Sequence, residues 1–247
     1  MDFITGEIIG IDKPLGWTSF DAVKRIRGGI QRRLRVKKFK VGHAGTLDPL
    51  ATGVLIVCTG KATRKIEALQ SGEKEYVATL KLGATTPSFD LETEIDSTFP
   101  TSHITEDYVK EVLKNFEGNI MQVPPVFSAV KVEGKRAYKY ARTGKELKLK
   151  AKPVTIREIE FISLIDNNLT FRVVCGKGTY IRALARDLGE ALGSGAHLIE
   201  LRRTRVGNIR VEDCMSVDTA VKTIAETPLE FPDYYKNGDL NSGIGDQ

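Results

Sequence analysis

The chain has 247 residues, 41% of them hydrophobic, and a formal net charge of +5. This length is enough to bury one large core or two small ones. No apolar run reaches the roughly 18 residues that span a bilayer, and the first residues lack the pattern of a signal peptide, so we expect a soluble cytoplasmic protein. Its three cysteines and three histidines are far apart and form neither a disulfide framework nor a zinc pattern.

Hydrophobic periodicity predicts strands mixed with helices, without strict alternation of the two. In chain order, the predicted elements are a strand at 6–12, a helix at 20–33, a strand at 54–59, a helix at 62–69, a strand at 75–82, helices at 105–116 and 136–143, strands at 154–164 and 169–175, a helix at 179–192, a strand at 198–206 and a helix at 216–225. This mixture predicts an α+β fold.

Local signals sharpen several of these elements. Thr18 and Asp21 form a capping box for the first helix, in which Gly28-Gly29 is a weak point. An Asp166-Asn167-Asn168 turn joins two strands into a hairpin. A polar, acidic loop is expected at 87–100, an extended segment with paired prolines at 123–128, and a frayed tail after Phe231.

Basic residues are concentrated in three blocks, at 24–40, 131–152 and 202–205. The first contains no acidic residue, and the second is diluted by Glu133 and Glu146. Each block alone is equally well explained by an ordinary solvated face. Three separate blocks together favour a polyanionic partner such as a nucleic acid.

The most informative stretch is residues 42–53, GHAGTLDPLATG. Its glycines and proline argue against a regular helix or a central strand. It has almost no charge beyond Asp48, and an apolar run follows at once, whereas a solvated linker would be more polar. We predict a shaped loop, held against a buried strand, that presents one carboxylate and one imidazole.

Two other glycine-containing stretches do not match nucleotide-binding motifs. Residues 53–62 have the wrong glycine spacing for a phosphate-binding loop, with Ala62 where a magnesium-binding hydroxyl should be. Residues 176–181 lack the third glycine of a dinucleotide fingerprint. No Ser-His-Asp order and no pair of carboxylates typical of a glycosidase stands out.

Four stretches together resemble the tRNA pseudouridine-55 synthases, which isomerise one uridine in the T-loop of tRNA. They are Lys13-Pro14-x-Gly16-x-Thr18-Ser19, the loop at 42–53, Lys74-x-Tyr76 with Leu82-Gly83 and Asp90, and Gly176-x-Gly178-Thr179-Tyr180-Ile181-Arg182 with Leu201-Arg202-Arg203-Thr204 downstream. Pro124-Pro125-x-x-Ser128-Ala129-x-Lys131 also fits. The resemblance covers about residues 5–215. It implies a pseudouridine synthase fold, with a mixed, mostly antiparallel central sheet flanked by helices and loops, and no cofactor.

By this resemblance, Asp48 is the catalytic carboxylate. Whether it attacks C1′ of the ribose or removes the 2′ proton stays open. Burial would raise the pKa of such a carboxylate, and Arg182 matches the guanidinium that reverses this by pairing with it. Tyr76 matches a tyrosine that stacks on the target uracil. Without the other motifs, Asp48 would be read as a turn residue and Tyr76 as sheet packing.

Three further positions resemble residues that contact the RNA substrate in the family: His43 would fill the space left by the extruded base, and Tyr180 and Leu201 would line the substrate pocket. Basic residues would hold the phosphates of the T-stem, and the candidates for these contacts are Lys13, Arg64 and Lys131. Simpler roles are a turn hydrogen bond for His43, helix packing for Tyr180 and strand core for Leu201.

The resemblance also implies partners and domain boundaries. The expected partner is the T-arm stem-loop of tRNA, bound by a monomer that needs no obligate protein partner and no membrane. Many bacterial members carry a further small C-terminal RNA-binding domain. Only about thirty residues follow the Leu201-Arg202-Arg203 stretch and the Cys214 region here, so we predict a catalytic domain at 1–231 and a tail at 232–247, without a complete C-terminal RNA-binding domain.

Three alternatives remain beside this interpretation. One is a pseudouridine synthase that works in a guide-RNA particle or on another RNA, although such relatives depend on partner proteins and a larger C-terminal domain. Another is a non-catalytic tRNA-folding protein, which would have no need of Asp48. A translation-associated structural module would explain the charge but not the loop.

Overall fold

A computed structural model describes residues 2–3, 5–128, 131–132, 135–136 and 149–228. The strands are β1 (Ile8–Lys13), β2 (Val41–Ala44), β3 (Ala51–Thr59), β4 (Lys74–Leu82), β5 (Ala84–Thr85), β6 (Ser97–Thr98), β7 (Gly118–Gln122), β8 (Lys131–Val132), β9 (Lys135–Arg136), β10 (Lys152–Ile165), β11 (Asn168–Cys175), β12 (Ala196–Val206), β13 (Ile209–Arg210) and β14 (Met215–Ser216). The α-helices are α1 (Ser19–Leu34), α2 (Ile66–Ser71), α3 (Glu106–Lys114), α4 (Ile181–Ala191) and α5 (Val217–Glu226), with 3-10 helices at Gly60–Lys65 and Val211–Asp213.

The chain divides into two compact units, Met1–Gly72 with Arg203–Gln247, and Glu73–Arg202. In both units, strands pair mainly in antiparallel fashion, whereas β1 and β14 run parallel. This confirms the predicted α+β class with a mixed, mostly antiparallel sheet. Within the described ranges, every helix is too short or too polar to span a bilayer.

In the first unit, β3 lies between β1 and β2, with Ile11 opposite Leu55 and Ala44 opposite Ile56. Alternate residues of β3 enter two different clusters, because side chains of a strand point to opposite faces in turn. Leu55 and Val57 pack with α1 and α5, and Ile56 packs on the other face beside Val206.

Helix α1 begins at the predicted capping box, in which the Thr18 side chain accepts from the Asp21 N–H and Asp21 accepts from Thr18 N. The Gly28-Gly29 pair does not break the helix. A Cβ added to Gly29 would lie 3.4 Å from the Val221 side chain, so this glycine sits against α5.

The second unit contains the antiparallel strand order β4-β11-β10-β7. The predicted hairpin is confirmed: Leu164 pairs with Leu169, and both Asp166 and Asn167 have positive φ angles, 51° and 60°. Such angles at both central turn residues match the twist of the flanking strands. Helix α3 packs on β10, and its N-cap is Thr105, whose side chain accepts from Tyr108 N–H.

Most remaining predicted elements are also confirmed, with shifts of a few residues at their ends. The predicted helix at 62–69 is a 3-10 turn followed by α2, and β7 was not predicted from the sequence. The predicted helix at 136–143 begins at Arg136, which lies in β9; residues 137–148 and the tail after Phe231 lie outside the described residues.

The prediction that residues 42–53 form one loop is wrong at both ends. Residues 42–44 belong to β2, residues 51–53 begin β3, and only 45–50 form the turn between them. Gly53 occupies a strand position because β3 approaches another backbone there: with φ +101°, an added Cβ would overlap the backbone of Arg203. A glycine inside a strand often marks such an approach.

We expect Gly53→Ala to lower the free energy of unfolding by more than about 4 kcal/mol, because both the backbone angle and the contact with Arg203 forbid a side chain. Gly118→Ala is the matched control, since Gly118 has φ +93° and nothing within 4 Å of an added Cβ. Backbone strain alone should cost it about 1–3 kcal/mol. Urea unfolding of both variants measures the difference; equal losses would remove the steric argument.

Candidate active site

Asp48 lies in the turn between β2 and β3 and is half-buried. The segment that precedes α1 holds this turn in place. Gly16 N–H donates to the Pro49 carbonyl at 2.8 Å. Ser19 Oγ accepts from Leu47 N–H at 2.8 Å and lies 3.1 Å from the Leu47 carbonyl, to which it donates. The backbone on both sides of Asp48 is therefore anchored to the start of α1.

A buried guanidinium holds the same turn from the other direction. Arg203 is 2% exposed. Its Nε donates to the Val54 carbonyl at 2.7 Å, and its Nη atoms donate to the carbonyls of Gly45 at 3.1 Å and Thr46 at 3.5 Å. A guanidinium carries five donors, so one side chain can bind several carbonyls at once.

This position corrects the interpretation of residues 202–205 as a block that faces nucleic acid. Arg203 is buried beneath the turn and is not available to RNA. The sequence could have indicated this burial, because consecutive residues of a strand point to opposite faces of the sheet. Within β12, Arg203 therefore cannot share a face with Arg202 and Thr204.

Lys13, at the end of β1, is fully buried. Its Nζ donates to the carbonyls of Pro14 at 2.9 Å and Trp17 at 2.6 Å. Burial, opposed by attraction to Asp48 and assisted by the charge of Arg203, lowers the pKa of Lys13 to about 8. This ammonium thus interacts with the candidate catalytic carboxylate, and its burial does not favour the predicted contact with a phosphate.

His43 lies in β2 opposite Val57 and is half-buried. Burial lowers the pKa of His43, the nearby charge of Arg203 lowers it further, and a hydrogen bond with the Gly45 backbone opposes the shift. The ring is therefore neutral near pH 7, which suits stacking against a base. Arg64 is exposed in the 3-10 turn after β3.

In the second unit, Arg182 occupies the first turn of α4 and is 5% exposed. It donates to the carbonyls of Phe127 at 2.9 Å and Ser88 at 3.3 Å, and one Nη lies 3.5 Å from Asp90 Oδ2. Asp90 is also buried, and its Oδ1 accepts from Glu92 N–H at 2.9 Å. The predicted pairing of Arg182 with Asp48 stays a prediction.

The turn that carries Ser88 and Asp90 had no predicted function, although Asp90 belongs to one of the motifs. Between them, Phe89 has φ 62°, which is unusual for a large side chain. Its carbonyl accepts from Leu198 N–H at 2.9 Å, and its ring lies 4.9 Å from the Arg186 guanidinium carbon. A strained residue next to a buried ion pair is a feature of functional sites, and no sequence pattern reveals it.

The remaining candidates also lie in the second unit. Tyr76 is 8% exposed in β4, opposite Val173. Tyr180 caps α4 and is half-buried; its backbone N–H and carbonyl bond the Gln122 amide at 2.9 and 3.2 Å. Leu201 is half-buried in β12, and the backbone of Lys131 lies in β8.

The structure thus gathers Lys13, His43 and Asp48 around Arg203 in the first unit, where charge acts between them. In the second unit, Arg182 meets Asp90, a motif residue that had no predicted role. In the described part of the chain, no group of three or more His, Cys, Asp or Glu side chains could hold a metal ion.

Comparison with known proteins gives family models, named relatives and solved structures. Residues 31–181 match the N-terminal domain of the TruB family pseudouridylate synthases, and residues 182–229 match a tRNA pseudouridylate synthase B C-terminal domain. The predicted boundary at residue 231 lies outside the described residues and stays a prediction.

Two relatives named tRNA pseudouridine synthase B are similar along nearly their whole length. The one from Parabacteroides distasonis is 63% identical and covers 87% of this chain and 92% of its own. The one from Phocaeicola vulgatus is 61% identical and covers 93% and 98%.

A crystal structure of a Cbf5-Nop10-Gar1 complex contains a chain with 35% identity and a TM-score of 0.67 over 90% of this chain; our chain spans about half of that one, 55%. The family model covers more than half of the sequence, and the relatives agree with it. This chain belongs to the TruB family of pseudouridylate synthases.

Proposed function

We propose that this protein isomerises uridine to pseudouridine at position 55, in the T-loop of tRNA, with Asp48 as the catalytic carboxylate. Family membership and the name of the relatives, tRNA pseudouridine synthase B, support the reaction. The assignment to Asp48 depends on one observation: Asp48 lies on a turn whose backbone is held by hydrogen bonds from two directions. Gly16 and Ser19 hold it from the start of α1, and the buried Arg203 guanidinium holds it at Gly45.

The reaction breaks the bond between N1 of uracil and C1′, rotates the base, and forms a bond between C5 and C1′. The proton on C5 leaves to solvent and N1 gains one, so that the product is an isomer of the substrate. Asp48 either attacks C1′ or removes the 2′ proton. The uridine must first leave the stacked T-loop, which costs a few kcal/mol that pocket contacts offset.

The other candidates act around this step. Arg182 pairs with the carboxylate, Tyr76 stacks on the extruded uracil, and Tyr180 and Leu201 line the pocket. His43, neutral and half-buried, fills the space that the base leaves. Arg64 and Lys131 contact phosphates, and Lys13 holds positive charge near Asp48.

We also propose that the protein works as a monomer in the cytoplasm, without the partner proteins found with the Cbf5 chain. Synthases with guide RNA remain the second candidate, because that similar chain was solved in a complex with Nop10 and Gar1. Turnover by the purified chain alone on tRNA distinguishes the two.

We expect the purified protein to release tritium from C5-tritiated, unmodified tRNA, in a ratio of one per tRNA. Asp48→Asn should abolish release and leave tRNA affinity nearly unchanged, because it keeps the size of the side chain and removes its charge. Replacement of the T-loop uridine should also abolish release. Release that persists after that replacement would show that the target uridine lies elsewhere in the tRNA. Turnover above a few per cent of wild type in Asp48→Asn would show that Asp48 is not the catalytic carboxylate.

Asp90→Asn should lower the turnover number at least tenfold and change RNA affinity little, because the buried Arg182 loses its charged partner in the described turn. Asparagine can still accept from Glu92 N–H, so the turn itself is kept. Glu92→Gln is the matched control, since Glu92 is exposed. Single-turnover rates measure the effect; equal rates for both variants would show that Asp90 does not position Arg182.

A further inference from the structure

A groove of about 700 Å³ runs along α1 in the first unit. Four basic residues line it: Lys24, Arg25, Arg27 and Arg32. The half-buried Trp17 lines the same groove. Next to it, Phe20 is 58% exposed, and the Arg27 guanidinium carbon lies 5.6 Å from its ring centroid. Cations interleaved with aromatic rings are typical of surfaces that bind single-stranded nucleic acid.

The basic residues in the groove lining outnumber the acidic ones. Asp21 is the acidic residue in the lining, and its carboxylate accepts hydrogen bonds from Thr18 as part of the helix cap and keeps its charge. Arg25 forms an ion pair with Asp218 at 3.7 Å. Lys24 and Arg32 are exposed and take part in none of the ion pairs found among the described residues. A polyanion therefore complements this surface.

The groove begins at the candidate active site. Gly16, in its lining, donates to the Pro49 carbonyl in the Asp48 turn. The Trp17 carbonyl accepts from the buried Lys13 Nζ. The segment Gly16-Trp17 thus connects one end of the groove to the Asp48 turn through hydrogen bonds. An RNA strand that delivers its uridine to Asp48 would continue next to this segment.

Gly28 leaves α1 without a side chain at one position in the lining of the groove. A glycine inside a helix costs about 1 kcal/mol relative to alanine. Gly29 has a packing reason in Val221, but the nearest atom to an added Cβ at Gly28 is the Arg32 Nη1 at 3.6 Å. Gly28 thus forms part of the groove lining where alanine would fit and stabilise the helix.

We propose that this groove binds the RNA strand that flanks the target loop, with Trp17 stacked on a base and Lys24, Arg27 and Arg32 on phosphates. The inference rests on the proposed function, because it names where the substrate of that same site continues. It adds a contact surface along α1 to the residues already assigned around Asp48.

Trp17 is the chain's single tryptophan, so intrinsic fluorescence reports on the groove directly. Titration of the protein with an unmodified T-arm stem-loop RNA should quench Trp17 along the binding curve. Vesicles that contain phosphatidylglycerol should not. A response to vesicles without one to RNA would overturn the proposal in favour of a membrane surface.

The double variant Lys24→Ala, Arg32→Ala tests the phosphate contacts. The slope of log affinity against log salt should become shallower by about 1.4 to 1.8, and the affinity should fall at least about tenfold at 0.1 M salt. The control is Lys110→Ala, Lys114→Ala, which removes two exposed charges from α3. Equal changes in both double variants would overturn the groove as an RNA site.

A second pair of variants tests whether RNA occupies the groove without changing its charge and without lowering the stability of the protein. Gly28→Ala and Gly28→Gln should both raise the free energy of unfolding, because both residues are better helix formers than glycine. Only Gly28→Gln places a long side chain in the groove, so it alone should weaken RNA binding and Trp17 quenching. Undiminished binding by Gly28→Gln would contradict the proposal.

These readouts do not depend on turnover. If wild-type protein releases no tritium but RNA quenches Trp17 and both variant tests succeed, the groove stands and the proposed reaction fails. If tritium is released but the groove variants bind RNA like wild type, the reaction stands and the groove assignment fails.

Discussion

The buried guanidinium of Arg203 is the contact on which the candidate site depends. A charge taken out of water is costly unless hydrogen bonds satisfy it, and here the carbonyls of Gly45, Thr46 and Val54 do so. Each of those carbonyls belongs to the turn that carries Asp48 or to the strand that leaves it. The approach is close enough to exclude a side chain from Gly53. Loss of Arg203, or a side chain in place of Gly53, would release the backbone around the Asp48 carboxylate.

The second unit uses the same physical device. Arg182 is buried and donates to two backbone carbonyls, where Arg203 donates to three, and it also meets the carboxylate of Asp90. In both places, one side chain with several fixed donors shapes a segment that has no regular secondary structure. Such segments satisfy few of their own backbone groups, so a buried arginine both completes their hydrogen bonds and limits their motion.

Sequence patterns predicted the elements that local physics determines. The capping box at Thr18, the period of β4 and the turn at Asp166-Asn167 all depend on neighbours within a few residues. The GHAGTLDPLATG stretch located Asp48 and His43, yet both of its ends are strands. At one end, Gly53 fits a strand because β3 approaches the backbone of the distant Arg203 there. Neither the burial of Arg203 nor the left-handed Phe89 follows from local composition. Both arise from contacts across more than a hundred residues of sequence.

The distance along the chain between Arg203 and its acceptors has a consequence for synthesis. Arg203 lies 149 residues after Val54 and 158 after Gly45. A ribosome that adds about 5–20 residues per second needs roughly 7 to 30 seconds to cross such an interval. During that time the Asp48 turn has been made but lacks one of the two groups of contacts that hold it, the hydrogen bonds from Arg203. A nascent chain therefore carries an unfinished site beside its basic helix, and it gains the arrangement around Asp48 only when β12 has emerged.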